Sequence, residues 1–233
     1  MSSLNILSGG AAQGLVKSVA AAFRTATGRD IDGEFGAVGA MADKLRAGRP
    51  TDIVILTDAL IAKLVEEKLL LAATVRNVGR VETALAVRAG DPLVTAKDAG
   101  GLREALLASD AIFVPDTKAS TAGIHVAKVL AQLGIAGDVA GRLNVYPNGA
   151  TAMKHLAAAD ARRPIGCTQA TEIISTSGVV LSGALPPGCD LATMYAAAVA
   201  THAAAREQAQ RLIDLLTAAD AHTLRHRAGF LDV

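Results

Sequence analysis

Between Leu4 and Gly48 the chain twice runs a short apolar strand into a turn of small residues and then into an amphipathic stretch: LNILSGGAAQGLVKSVAAAF, followed by IDGEFGAVGAMADKLRAG. Parallel strands need crossovers of this kind, because a two-residue hairpin can only return the chain antiparallel. The turns are built from Gly9, Gly10 and Ala11, and again from Gly36, Ala37, Gly39 and Ala40. Such residues leave backbone N–H groups uncovered at a helix start, where the helix dipole adds partial positive charge. The pattern therefore predicts helix N-termini aimed at one edge of a sheet, which is a site for a small anion.

The same alternation continues along the chain. Period-two and buried apolar runs predict strands over Leu4–Leu7, Ile31–Phe35, Ile53–Leu56, Thr83–Val87, Ala111–Val114, Arg142–Val145, Ile165–Thr168, Val179–Leu181 and Thr193–Val199. Helical spacing links Leu15, Val16, Val19, Ala20 and Phe23, then Met41 and Leu45. It returns over Leu60–Leu71, Leu102–Leu107, Ala122–Leu133, Ala150–Ala158, Ala170–Ile174 and Ala203–Ala218. The expected class is α/β, with mostly parallel sheets flanked by helices. Strands follow one another without a helix near Arg80–Val87 and again around LPPGCD, Leu185 to Asp190. These breaks predict two lobes joined by two crossing strands: residues 1–82 with 190–233, and residues 83–189. Ligands of open α/β sheets lie beyond the strand C-termini, so the expected site is a cleft between the lobes.

Composition narrows the function classes. Lys plus Arg is 23 and Asp plus Glu is 22, so the net charge of +1 offers no broad attraction for nucleic acid or acidic membranes. Aromatic residues are 3% with no Trp, which argues against a stacking groove for sugars or single-stranded nucleic acid. No run approaches the roughly 20 apolar residues of a membrane span. MSSLNILSGG enters a strand directly, without an export signal, so the reading is a cytoplasmic protein or a processed periplasmic one. Cys167 and Cys189 form no metal-type cluster and are expected as reduced structural thiols. His222 and His226 have the i, i+4 spacing of metal ligands, but the basic TLRHR around them reads as a solvated face, and no metal is expected. HExxH, GxSxG, Walker and complete dinucleotide motifs are absent, so no cofactor is expected.

SGGAAQGLVKSVAAAFRTATGRDIDGEFGAVGAMADKLRAGRPTDIVILTD resembles the opening of the molybdate-type periplasmic binding proteins, class II substrate-binding proteins of ABC transporters. FVPDTKASTAGIHVAKVLAQLGI resembles the family's entry into a second anion-binding helix, and PIGCTQATEI its late strand-to-helix turn. The resemblance covers nearly the whole chain and implies the two-lobed fold, a small anionic ligand, a monomer and a possible ABC permease partner. It also implies serines at Ala11 and around Ala37–Gly39, and a tyrosine at Gln169, where this chain departs from the family. Losing two or three buried donors at roughly 1–3 kcal/mol each weakens oxyanion binding by orders of magnitude. An organic carboxylate is therefore the expected ligand in place of molybdate.

The expected ligand contacts are Ser8, Gly9, Gly10, Ala11, Val38, Gly39, Ala40 and Thr57, and then Lys118, Ser120, Thr121, Asn148, Gly149, Thr168 and Gln169. Each has a purely structural explanation: tight turns for the glycines and alanines, N-caps for Ser120 and Thr121, a solvated charge for Lys118. The resemblance extends to cofactor-free isomerases of small polycarboxylates such as aconitate. That alternative needs carboxylate clamps and a base to move an allylic proton, with His125 or Glu172 as the expected shuttle. His155, like His125, lies inside a helix and is expected to be packed or solvated.

Overall fold

The computed structural model describes residues 3–232, and the ends of the first expected lobe, residues 1, 2 and 233, lie outside them. The chain forms two compact units, Met1–Val81 with Thr193–Val233, and Glu82–Ala192. It leaves the first unit within β4 (Arg76–Arg88) and returns within β9 (Ala192–Val199).

In the first unit the strand order is β2-β1-β3-β9, with β1 Leu4–Gly9, β2 Ile31–Gly36 and β3 Ile53–Thr57. β1 pairs parallel with both β2 and β3. β3 is buried along its whole length, as expected for a strand covered on both faces. α1 (Gln13–Thr27), α2 (Val38–Arg46) and α9 (Arg206–Thr217) supply the covering side chains. Leu15, Val19 and Phe23 from α1 and Leu212, Ile213 and Leu216 from α9 are buried in one core with the strand residues. Asp52 ties this unit together: its carboxylate accepts from the Asn5 and Ala205 N–H groups, both at 2.9 Å.

The second unit has the order β4-β7-β5-β6, with β8 on the other side of β4. β5 (Ala111–Pro115) pairs parallel with β6 (Leu143–Tyr146) and β7 (Pro164–Gln169). Two smaller cores lie on the two faces of this sheet, one around Leu102, Val126 and Ile165 and the other around Phe113, Met153 and Ile173. α4 (Ala99–Ala108), α5 (Thr121–Gln132), α7 (Gly149–Ala157) and α8 (Ala170–Ile174) complete it.

The sheets are mostly parallel, as expected, with antiparallel members: β9 runs antiparallel to β3, and β4 runs antiparallel to β7 and β8 (Val179–Ala184). Those are the strands that cross between units or follow another strand without a helix, so nothing turns the chain back to parallel. The helix expected over Leu60–Leu71 is α3 (Asp58–Glu66), which stops where Lys68 adopts a left-handed φ of 61°. The basic TLRHR stretch lies on a short helix, His222–Arg227 (α10), as its i, i+4 histidines imply, whereas the helix at Ala136–Val139 (α6) was not foreseen, because it is too short to show a period.

Candidate functional site

Helix starts carry the chemistry. The first N–H groups of any helix have no acceptor within it, so a side-chain cap, water or a ligand must take them. In the first unit, Ala12, Ala37 and Thr57 occupy the N-cap positions of α1, α2 and α3, and none makes a side-chain cap bond. α2 makes its first backbone bond from Met41 N to the Ala37 carbonyl at 3.1 Å. The N–H groups of Val38, Gly39 and Ala40 thus begin that helix without a helical acceptor.

The surrounding surface is apolar. Gly9 has room for no side chain: a Cβ there would stand 2.8 Å from Val38 Cγ1 and 3.1 Å from Tyr195 Cε1. Val38 therefore closes directly over the first turn. Gly10, Ala11 and Ala12 form a buried 3-10 turn leading into α1. Ser8 is fully buried, and its hydroxyl donates to the Gly9 carbonyl at 2.9 Å. Gly39 and Ala40 are half-buried, and Thr57 is buried at the end of β3.

The second unit replaces bare backbone with polar side chains. After β5, Asp116 Oδ1 accepts from the N–H groups of Lys118 and Ala119 at 2.7 and 2.9 Å. Those two backbone donors hold its carboxyl below the usual carboxylate range. The turn they fix displays Lys118 and leads to Ser120, whose side chain makes no cap bond to α5. Ser120 and Thr121 were expected to serve as caps, so Ser120 is a correction: it stands at the cap position while its hydroxyl leaves the helix donors free. Gly123 sets how close α5 approaches β5, since a Cβ there would lie 2.1 Å from the Asp116 carbonyl oxygen.

The start of α7 is different again. Asn148 Oδ1 accepts from Thr151 N at 2.8 Å, a side-chain cap. The carboxylate of Glu172 faces the N–H groups of Gly149, Ala150 and Gln169 and accepts from the Thr168 hydroxyl at 2.6 Å. A Cβ at Gly149 would fall 1.9 Å from Glu172 Oε2, so only glycine lets this carboxylate reach the helix start. Glu172 is 4% exposed. Burial pushes its carboxyl above the ordinary glutamate range, against the opposing pull of the Thr168 hydroxyl and the three N–H groups. Thr168 and Glu172 thus form one buried unit, with Asn148 and Gly149 turned to the protein's own groups.

Next to that unit lies a group of unsatisfied atoms. Both amide atoms of Gln169 are buried without a hydrogen-bond partner, and so are the hydroxyls of Thr171 and of Thr83, which sits opposite Gln169 in the β4–β7 pairing. Buried polar atoms are nearly always paired, so these atoms stand out. Thr83 and Thr171 were not among the expected site residues, because a threonine in a strand or a short helix is ordinary by sequence.

His125 lies half-buried on α5, with Nε2 2.8 Å from the Cys189 carbonyl. A carbonyl can only accept, so Nε2 carries the proton and the lone pair of the neutral ring is on Nδ1. His155 stacks on Tyr146 at 4.2 Å between ring centroids, in keeping with a packing role. Cys167 and Cys189 are buried free thiols, and burial pushes Cys167 up to about 12, leaving it an inert thiol. Among the described residues, no three His, Cys, Asp or Glu side chains converge at these turns.

The model of the bacterial extracellular solute-binding proteins matches residues 4–231. The chain belongs to this family. Among solved structures, this solute-binding protein is similar to the periplasmic molybdate-binding protein of Azotobacter vinelandii, with a TM-score of 0.81 at 17% identity over 98% of each chain. It is also similar to the sulfate-binding protein SubI of Mycobacterium tuberculosis, with a TM-score of 0.74 at 20% identity, covering all of this chain and 88% of that one. At those identities the likeness establishes the fold, which is the periplasmic-binding-protein type. A curated relative, an aconitate isomerase of a Pseudomonas species, is 25% identical over 232 residues, covering 95% of this chain and 84% of the relative. No helix among the described residues is long and apolar enough to cross a membrane.

Proposed function

We propose that this solute-binding protein takes a small organic carboxylate in preference to a tetrahedral oxyanion such as molybdate. One observation carries the reading: the uncapped starts of the Gly10–Ala12 turn leading into α1 and of α2 offer backbone donors alone, walled by Ala11, Ala37 and the Val38 side chain closing over Gly9. A tetrahedral oxyanion needs donors on every side, whereas a carboxylate on a carbon skeleton needs them at its ends and apolar contact between. Lys118, Ser120, Thr121 and the orphaned Gln169 supply charge and neutral donors in the second unit. The aconitate isomerase relative acts on a tricarboxylate, which supports the same ligand class. In the transport version of this reading the carboxylate is handed to an ABC permease.

A second reading is favoured by that relative together with the buried carboxyl of Glu172, whose pKa burial raises: cofactor-free isomerisation of an unsaturated polycarboxylate. The step is a 1,3 proton shift. A base removes a proton from the allylic carbon, the double bond moves, and the proton returns at the other end. His125, with its lone pair on Nδ1, and Glu172 are the groups of this chain suited to carry it. Lys118 and the helix starts would stabilise the enolate-like charge.

Thermal-shift titration with molybdate, tungstate, sulfate, phosphate and a panel of di- and tricarboxylates tests the ligand class, because a native-state ligand raises the melting temperature. A carboxylate shift without an oxyanion shift is expected, and a shift confined to molybdate or tungstate would sink the proposal. Incubation with the binding carboxylate followed by proton NMR separates transport from isomerisation: a new isomer establishes the enzyme. His125→Gln then assigns the base, by loss of turnover with retained affinity.

A further inference from the structure

The C-terminal segment gathers two imidazoles and a carboxylate. His222 and His226 lie one helical turn apart on α10, with ring centroids 4.2 Å apart. Their Nε2 atoms stand 2.9 and 3.0 Å from the same oxygen, Asp232 Oδ1. We propose that these three side chains form a binding site for a divalent transition ion of the zinc class, which staples the C-terminal tail to α10.

The geometry is that of a chelate. Two histidines at i, i+4 face one way from a helix and present neutral imidazole nitrogen, a ligand suited to zinc, nickel and copper and poorly suited to magnesium or calcium. Zinc bonds to nitrogen and carboxylate oxygen at about 2.0–2.2 Å, which places tetrahedral ligand atoms about 3.3 Å apart. The present Nε2–Oδ1 separations need to open by only a few tenths of an ångström to admit the ion. All three side chains are exposed, so water can complete the coordination.

The third ligand is held in place from behind. Leu231 exchanges two backbone hydrogen bonds with Arg80, at 3.0 and 2.8 Å, and the Asp232 carbonyl accepts from Arg80 Nε at 2.9 Å. Phe230 anchors the tail, buried and edge-on to Tyr195. Asp232 therefore reaches the histidines from a fixed backbone, which lowers the entropic cost of assembling the site. Two of the neighbouring arginines are occupied elsewhere: Arg225 donates to the Leu216 and Ala218 carbonyls, and Arg80 to the tail carbonyl. Without an ion, two mutually tilted imidazoles share one carboxylate oxygen, and the ion satisfies all three groups at once.

The test is calorimetric titration of the full chain, made without a histidine tag, with zinc chloride alone. One ion per chain is expected. His226→Gln and Asp232→Asn should each weaken binding by about tenfold or more, while His202→Gln, an exposed histidine outside the trio, should leave it unchanged. Cobalt titration followed by visible absorption provides an independent readout, with the intense bands of a four-coordinate site expected in the parent and lost in His226→Gln. Melting temperatures measured in chelator check that the variants are folded. Absence of one-to-one binding, equal binding in His226→Gln, or equal loss in His202→Gln would overturn the proposal.

Discussion

Helix starts differ between α1 and α2 of the first unit and α7 of the second. In the first, α1 and α2 start from alanine caps with no side-chain bond, and Val38 and Ala11 wall their donors. In the second, Asn148 caps α7, Glu172 covers its remaining donors, and Gln169, Thr171 and Thr83 hold polar atoms without partners. The same βα architecture thus presents bare backbone at some helix starts and polar side chains at others. Bare backbone can attract an anion, whereas a side-chain carboxyl is the kind of group that can exchange a proton.

The contrast can be broken at its stiffest point first. Gly123→Ala drives a Cβ against the carbonyls of Asp116 and Pro115, backbone that cannot step aside, and should destabilise the protein by about 3 kcal/mol or more in urea unfolding. Gly9→Ala meets only side-chain ends, Val38 Cγ1 and Tyr195 Cε1, and should cost distinctly less. Equal losses would show that both turns are equally rigid.

Glu172→Gln probes the buried carboxyl. The folded-state pKa of Glu172 lies above its unfolded value, so the native protein binds that proton more tightly. The parent should therefore lose stability as pH rises from the ordinary glutamate range through the raised one, and the variant should lack that decline. Denaturant unfolding at a series of pH values reads the difference, with the variant gaining relative to the parent at alkaline pH. Identical pH profiles would mean that the donors around Glu172 fully offset its burial.

Gln169→Leu should raise ligand-free stability by about 1 kcal/mol, since it removes two buried orphans, and should lower the carboxylate-induced thermal shift. Stability gained with the shift unchanged would exclude Gln169 from the site. The smallest effects separate capping from recognition. Asn148→Ala should cost about 1 kcal/mol through its lost cap bond to Thr151. Ser120→Ala should change stability by less than about 0.5 kcal/mol, because its hydroxyl makes no cap bond, while weakening carboxylate binding.

Much of the fold was legible because it is written in local periods. Apolar runs and i, i+4 spacing marked β1, α1, β2, α2 and β3, and the small-residue turns between them announced helix starts without side-chain caps. The N-cap at Asn148 could be read from one residue, since an asparagine before a helix answers a strictly local need. The crossing strands were visible as places where strand followed strand.

What no local pattern carried is set by residues distant in sequence. The antiparallel pairings of β4 and β9 depend on which strands meet. The seat of Glu172 on the start of α7 depends on Gly149, brought in from another βα unit. The orphaned state of Gln169 and Thr83 exists only once β4 lies beside β7. Likewise, His222 and His226 spelled half a chelate in sequence, and the third ligand arrived only when the tail folded back along Arg80. Sequence alone determined the alternation of strands and helices and the bare turns, because backbone propensity and spacing act over a few residues. Tertiary structure decided which polar groups are paired, buried or left waiting, because desolvation and hydrogen bonding act between neighbours in space.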